Sequence, residues 1–210
     1  PELFNAILST ISEKQVMMYF YDEKTQSAVE AFNMAGRVRE VSENEDYLMV
    51  VDTNFSGGKT NIWVRYEASQ NIEVSSDGTV TKTLTLNYTN PQEGSVKIES
   101  GRRLNGLFRD WVRVYVPKGS ELIESKGFET GEASGEDLGK TVFEGFFTLA
   151  PLNVKSITMK YKLPFKINSP YKMLVQKQGG AKDFIYKTKI NGKNQPEFIL
   201  NADTEHAFVY

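Results

Sequence analysis

The chain has 210 residues, 40% of them apolar and 25% charged, which is ordinary usage for a folded protein and long enough for one large domain or a sandwich with a small appendage. Lys and Arg total 25 against 27 Asp and Glu, a net charge of -2, so the basic excess of a nucleic-acid binder is missing. No cysteine is present, which excludes disulfides, thiolate metal sites and cysteine nucleophiles together.

Residues 1–45 are set apart from the rest. Leu3, Phe4, Ile7, Leu8 and Ile11 recur at helical spacing and predict an amphipathic helix ending near Ser12. Gln15–Tyr21 is a short apolar run with aromatic weight and predicts a buried strand. Asp22 is placed to cap a second helix with Ala28, Val29 and Phe32 on its apolar face and Gly36 at its C-terminal cap. This is a helix–strand–helix element.

From Asp46 onward the pattern becomes β. Asp46–Asp52 is an apolar run closed by a turn cluster at 54–59, and Thr60–Val74 predicts a long strand bent around 68–71. Asp77-Gly78 marks a tight hairpin, and the returning strand puts Val80, Leu84, Leu86 and Tyr88 on one face. A polar loop (91–106) precedes strands at 111–116 and 121–126, joined at Pro117–Gly119. A Gly- and Glu-rich loop (131–139) leads to strands at 141–149 and 154–163, and the last of these alternates Ile157, Met159, Tyr161 and Leu163 with polar residues. Strands at 171–176, 184–190 and 197–200 complete the set, with Asn191-Gly192 as a further turn. Short strands with turn signals about every ten residues predict a sandwich or barrel. The fold class expected is α+β, mainly β: an immunoglobulin-like antiparallel sandwich over 46–210, with the helical element of 1–45 packed on it or left from an upstream domain.

Candidate chemistry is sparse. Gly57–Thr60 has the tail of a phosphate-binding loop, but Thr53 stands where that loop needs Gly and strand formers follow where it needs a helix. His206 is the only histidine, without the partners a catalytic triad or metal site requires, and reads as a surface or strand-end residue. The acidic clusters at Glu43–Asp46 and Glu132–Asp137 match a calcium loop only loosely and read as solvated loops. A paired-carboxylate glycosidase leaves no fixed spacing in sequence, and no acid stands out. Arg102, Arg103, Arg109, Trp111 and Arg113 crowd one stretch. If Arg109, Trp111 and Arg113 share a strand face they could present guanidinium groups and a ring to an anionic glycan or a protein, with Trp63 as a second stacking surface. The plainer reading sends Val112, Val114 and Val116 into the core and leaves the Arg/Trp face as ordinary exterior. No catalytic, cofactor or metal residue is predicted.

Five segments carry a resemblance: EKQVMMYFYDEKTQSAVEAFNMAG (13–36), DYLMVVDTNFSGGKTNIWV (46–64), RDWVRVYVPKGSELIES (109–125), GKTVFEGFFTLAP (139–151) and ITMKYKLP (157–164). In this order they resemble bacterial proteins of the domain of unknown function 4012 family, over most of the chain. The resemblance implies an envelope protein with a membrane segment near its N-terminus and an extracytoplasmic remainder, of which this chain is the C-terminal, outward-facing part. It brings no catalytic residues.

No apolar run reaches the roughly 18–20 residues of a spanning helix, no signal peptide opens the chain, and its first residue is Pro1. The expectation is a fragment without a membrane span of its own, held at the cell surface through an upstream anchor. Its expected function is a non-enzymatic interaction or spacer module, its partner another envelope protein or a surface glycan. A carbohydrate-binding module for cell-wall or capsular glycan is the alternative, and an accessory domain of a glycan-processing enzyme the third.

Overall fold

The computed structural model describes residues 2–95, 104–167 and 170–210. Alternation of apolar and polar residues builds two sheets whose inner faces meet. The strands are β1 (Asp46–Asn54), β2 (Arg65–Val74), β3 (Thr79–Thr89), β4 (Phe108–Pro117), β5 (Glu121–Lys126), β6 (Thr130–Asp137) and β7 (Lys140–Leu149). They continue with β8 (Val154–Lys166), β9 (Tyr171–Gln176), β10 (Phe184–Ile190), β11 (Lys193–Asn194), β12 (Phe198–Leu200) and β13 (Thr204–Phe208). The first sheet runs β13-β9-β1-β4-β7-β6; the second runs β11-β10-β2-β3-β8-β5, with β12 also on β10. The mainly β sandwich expected from the sequence is what forms.

The core follows the predicted parity. Leu48 and Val50 of β1 and Val112, Val114 and Val116 of β4 face Leu84, Leu86 and Tyr88 of β3 and Ile157, Met159 and Tyr161 of β8. Each large apolar side chain buried this way contributes about 1.5–3 kcal/mol. Lys82 shares the inward face of β3 with Val80 and Leu84 and is completely buried. The β2–β3 hairpin turns at Gly78, whose φ of 83° suits a residue without a side chain.

Pairing is antiparallel except in two places. β9 lies parallel to β1, and β10 parallel to β2. The connections β1–β2 and β9–β10 therefore cross between the sheets at the same end of the sandwich. That end also receives the close of β3 and the start of β4. Its long β3–β4 connection is anchored by two buried amides, with Asn90 Nδ2 donating to Asn105 Oδ1 at 2.9 Å and Asn105 Nδ2 donating to the Glu93 carbonyl at 2.9 Å.

Several expectations are corrected. Gln15–Tyr21 is a mostly exposed segment and not a buried strand, with Tyr21 94% exposed: its aromatic residues favour a strand, but they join neither sheet. Thr60–Ile62 is a 3-10 turn, and β2 begins only at Arg65 and runs unbent to Val74. The stretch read as a loop at 131–139 contains β6, an exposed edge strand on β7 that has no buried face to imprint an alternation. β13 at the C-terminus went unpredicted for a similar reason, its residues being mostly polar and half-exposed.

The two helices form as expected, α1 over Glu2–Ser12 and α2 over Glu23–Ala31. Asp22 caps α2 by accepting the Thr25 amide at 2.8 Å. The helix ends at Phe32, followed by Asn33 with φ of 56°, rather than at Gly36, which packs against Met17. No residue of α1 is buried. Residues 1–45 are joined to the sandwich by the Lys14–Asp203 ion pair at 2.8 Å, the Gly180 amide on the Lys14 carbonyl at 3.0 Å, and Val38 and Val41 on the outer face of the first sheet, among other contacts. These include the hydrogen bonds of Asn33 to Asp203 and of Arg37 and Arg39 to Gln176, and the Arg39–Glu205 ion pair.

Candidate functional site

Two carboxyls meet at the end of the sandwich where the crossovers pass. In the β1–β4 ladder Asn54 opposes Asp110 and Asp52 opposes Val112, so Asp52 and Asp110 are diagonal neighbours on one strand pair. Both sit two residues from inward-facing valines, Val50 and Val112, and so point toward the core. Asp110 is wholly buried and Asp52 half-buried with its carboxyl enclosed. The carboxyls are close enough to act on each other's titration. Tyr88, across the core on β3, donates its hydroxyl to Asp52 Oδ1 at 2.8 Å. Neither oxygen of Asp110 receives a donor from another described residue, and the nearby Thr53 amide lies outside good hydrogen-bonding geometry.

This pair lies in a cleft of about 190 Å³ whose walls include Tyr66, Phe108 and Phe184, with the loop Gln178–Lys182 forming one side. The rings are held together, Tyr66 being 5.5 Å from Tyr88 and 5.0 Å from Phe184 between centroids. Gln178 fixes the loop by bracketing Asp52: its Oε1 accepts the Asp52 amide at 2.9 Å and its Nε2 donates to the Asp52 carbonyl at 3.0 Å. Lys182 donates to the Ile62 carbonyl, tying the β9–β10 loop to the β1–β2 loop.

Burial, then the charge and hydrogen bond of Asp52, push the Asp110 carboxyl up to about 10. Burial raises Asp52 as well. Two neighbouring carboxyls in a low-dielectric site resist ionising together, so the pair holds at least one proton at neutral pH. Burial and the two acids together raise the Tyr66 and Tyr88 hydroxyls, which stay protonated as donors.

A second buried polar network lies at the opposite end of β1. Lys82 Nζ reaches Asp46 Oδ2 at 2.6 Å, and both side chains are fully buried. The Tyr171 hydroxyl donates to the same oxygen, and the Tyr47 amide donates to Asp46 Oδ1 at 2.8 Å. Burial lowers the Lys82 ammonium, opposed by the charge of Asp46. Asp46 is thus no part of a solvated acidic cluster, as the sequence suggested; Glu43 is exposed and Glu45 half-exposed, while the side chain of Asp46 turns into the core.

The residues singled out in the sequence lie elsewhere. Arg109, Trp111 and Arg113 do share the outer face of β4, with the valines inward. Glu144 on β7 takes the Trp111 indole N–H at 3.0 Å and Arg113 Nε at 2.8 Å. The Trp111 ring is covered by Gly131 of β6, where an added Cβ would come within 2.7 Å of it. Trp63 is half-buried just after the 3-10 turn, on a different element, and among the described residues neither tryptophan stacks on another aromatic ring. Arg102 and Arg103 fall outside the described residues. His206 lies between Phe198 and Phe208, 4.2 and 5.2 Å from their ring centroids, and burial lowers its imidazole. Gly57–Thr60 leads into the 3-10 turn and then β2. Among the described residues no three His, Cys, Asp or Glu side chains are grouped to hold a metal ion, and no helix is long and apolar enough to cross a membrane.

Sequence reasoning passed over Asp52, Asp110 and Lys82. The signal was present: each stands at the inward parity of a strand whose neighbours at that parity are apolar.

No family model matches the chain, and no curated protein matches it. Among solved structures, a candidate nutrient-binding protein of Legionella pneumophila aligns over 68% of this chain and 54% of its own, with 8% identity and a TM-score of 0.41. An M1 zinc metallopeptidase of Deinococcus radiodurans aligns over 60% of this chain and 32% of its own, with 7% identity and a TM-score of 0.31. The chain spans about half the length of the first and a third of the second. Neither likeness assigns an activity to this chain.

Proposed function

We propose that this chain is a non-catalytic binding module of a bacterial envelope protein, working outside the cytoplasm, and that the cleft at Asp52 and Asp110 is its ligand site. The envelope setting rests on the resemblance of residues 13–164 to an anchored, outward-facing family. The site rests on one observation: Asp110 is wholly buried beside a cleft, with neither oxygen receiving a donor from outside the acid pair. A buried acceptor left this way costs about 1–3 kcal/mol. An incoming donor recovers that cost.

The burial of the acids favours binding over hydrolysis. A paired-carboxylate glycosidase works with one acid ionised beside an accessible substrate bond, whereas Asp110 is wholly buried and burial holds it protonated. At about 190 Å³ the cleft is smaller than the roughly 300–1,000 Å³ of drug-sized sites. It admits a small solute or one side group of a polymer, not a stretch of chain. The outer face of β4 is a weaker surface for a glycan, because Glu144 already holds the Trp111 and Arg113 donors.

The test is a titration of ¹⁵N-labelled protein with small amines, amino sugars, neutral sugars and dicarboxylates, followed by amide shifts. The expected result is saturable shifts at Asp52, Thr53, Asp110, Gly179 and Gly180. Shifts confined to the outer-face residues Arg109, Trp111, Arg113 and Glu144, or none with any compound, would remove the cleft as the site. Conversion of a compound during the titration would overturn the non-catalytic assignment.

A further inference from the structure

We propose that this cleft binds a single primary ammonium group, seated against the carboxyls of Asp52 and Asp110 and walled by the rings of Tyr66, Phe108 and Phe184. The inference rests on the cleft being the ligand site and adds the chemistry of its occupant.

The molecule carries its own template for this arrangement. At the start of β1, the buried carboxylate of Asp46 is met by one ammonium, that of Lys82, and one tyrosine hydroxyl, that of Tyr171. At the end of the same strand, Asp52 is met by a tyrosine hydroxyl, that of Tyr88 on the same strand as Lys82, and by a second acid. The ammonium is the member without a counterpart. Lys182 does not supply it, since its Nζ is bound to the Ile62 carbonyl and the charge acting on it is Arg65, not the acids.

The remaining surroundings fit a monocation better than its rivals. Three buried aromatic rings beside two carboxyls make a low-dielectric wall in which an ion pair is strengthened. A calcium ion needs about 6–8 oxygen ligands, and the amide oxygens at hand are occupied: Asn54 Oδ1 by Ser56, Asn61 Oδ1 by Asn54, and Gln178 Oε1 by the Asp52 amide. Phe108, Phe184 and Tyr66 are buried, so no open ring face is available for a sugar to stack on.

Binding is coupled to protons. The titratable and charged groups facing the pair are Tyr88 from β3, Tyr66 from β2 and Tyr186 from β10, with Lys182 on the cleft wall and the charge of Arg65 acting on Lys182. The tyrosines stay neutral across the working range, leaving the carboxyls as the groups that respond. An ammonium keeps its three N–H bonds and favours the ionised pair, so a proton leaves the carboxyls for solvent as it binds. Affinity rises with pH until the ligand amine itself loses its proton.

The probes are Nα-acetyl-lysine amide, glucosamine, glucose and calcium chloride, each titrated by calorimetry at pH 6, 7 and 8 in buffers of different ionisation enthalpy. Acetyl-lysine amide should bind with proton release and with affinity rising by up to about a hundredfold from pH 6 to 8, whereas the rise for glucosamine should level off as its less basic amine loses its proton; the alkyl and sugar amines tell which carrier delivers the group. Asp110→Asn should weaken binding by tenfold or more at pH 8, and Asp52→Asn likewise, with thermal melts confirming that both variants fold. Glucose binding at the cleft as tightly as the amines would overturn the ammonium assignment and leave the ligand site standing. Calcium binding lost in both variants would do the same. No binding by any probe, together with no amide shifts at the cleft, would remove the site itself.

Discussion

The two ends of β1 treat a buried acid in opposite ways. At Asp46 every charge is answered from within, by Lys82, Tyr171 and the Tyr47 amide. At Asp52 and Asp110 two acids face each other and manage by keeping a proton. The first arrangement is closed and belongs to stability. The second opens on a cleft and leaves an acceptor for something outside the chain. The same two strands, β1 and β3, supply Asp46 and Lys82 to one and Asp52 and Tyr88 to the other, so the contrast comes from which partner a position carries and not from a different scaffold.

The sharpest way to break this comparison is at the closed end. Lys82→Met keeps the volume but strands Asp46, and a buried charge without its partner costs about 3–5 kcal/mol; urea denaturation should show a loss of that size. A variant as stable as the parent would mean Asp46 needs no cation, and the contrast would lose its meaning. Asp110→Asn at the open end should instead stabilise at neutral pH and above, because it removes a group that resists ionisation.

The pH dependence sharpens the same point. The Asp110 carboxyl is raised to about 10 in the folded protein against 3.8 unfolded. Between those values the folded state holds a proton that the unfolded chain has released, so stability falls as pH rises, by up to about 1.4 kcal/mol per pH unit. Melts at pH 7 and 9 should show this fall in the parent and a smaller one in Asp110→Asn. The difference between the two proteins cancels the contribution of Lys82. Equal slopes would show that the pair carries no proton worth the name. Smaller still, Tyr88→Phe removes the hydroxyl on Asp52 and should cost about 1 kcal/mol. The least is expected on the outer face: Arg113→Ala breaks an exposed pair with Glu144 and should stay within about 0.5 kcal/mol.

Much of the fold was legible because inner faces impose parity. β9 and β10 fall on the predicted residues, and so does the Asp77-Gly78 hairpin. What escaped had no buried face to read, as in β6, or had propensity without a neighbour, as at Gln15–Tyr21. The parallel pairings could not be read either, since register between strands far apart in sequence leaves no local trace. The site was missed for a different reason. Asp52, Lys82 and Asp110 do not stand out by residue type, although the alternation of Leu48-Val50, Val80-Leu84 and Val112-Val114 assigns all three inward. An ionisable residue at core parity is the signal to follow.

The parallel placement of β9 on β1 and β10 on β2 bears on how the molecule assembles. Asp46 waits for Met173, and Glu67 for Ile185. Closing so long a loop is entropically costly and makes such pairings slow. One wall of the cleft is the loop between those late strands, so the site is completed only when the last part of the chain has docked. In a refolding experiment, recovery of ligand binding should therefore trail the burial of the β3–β8 core, and proteolytic trimming from the C-terminus should silence the site before it melts the sandwich.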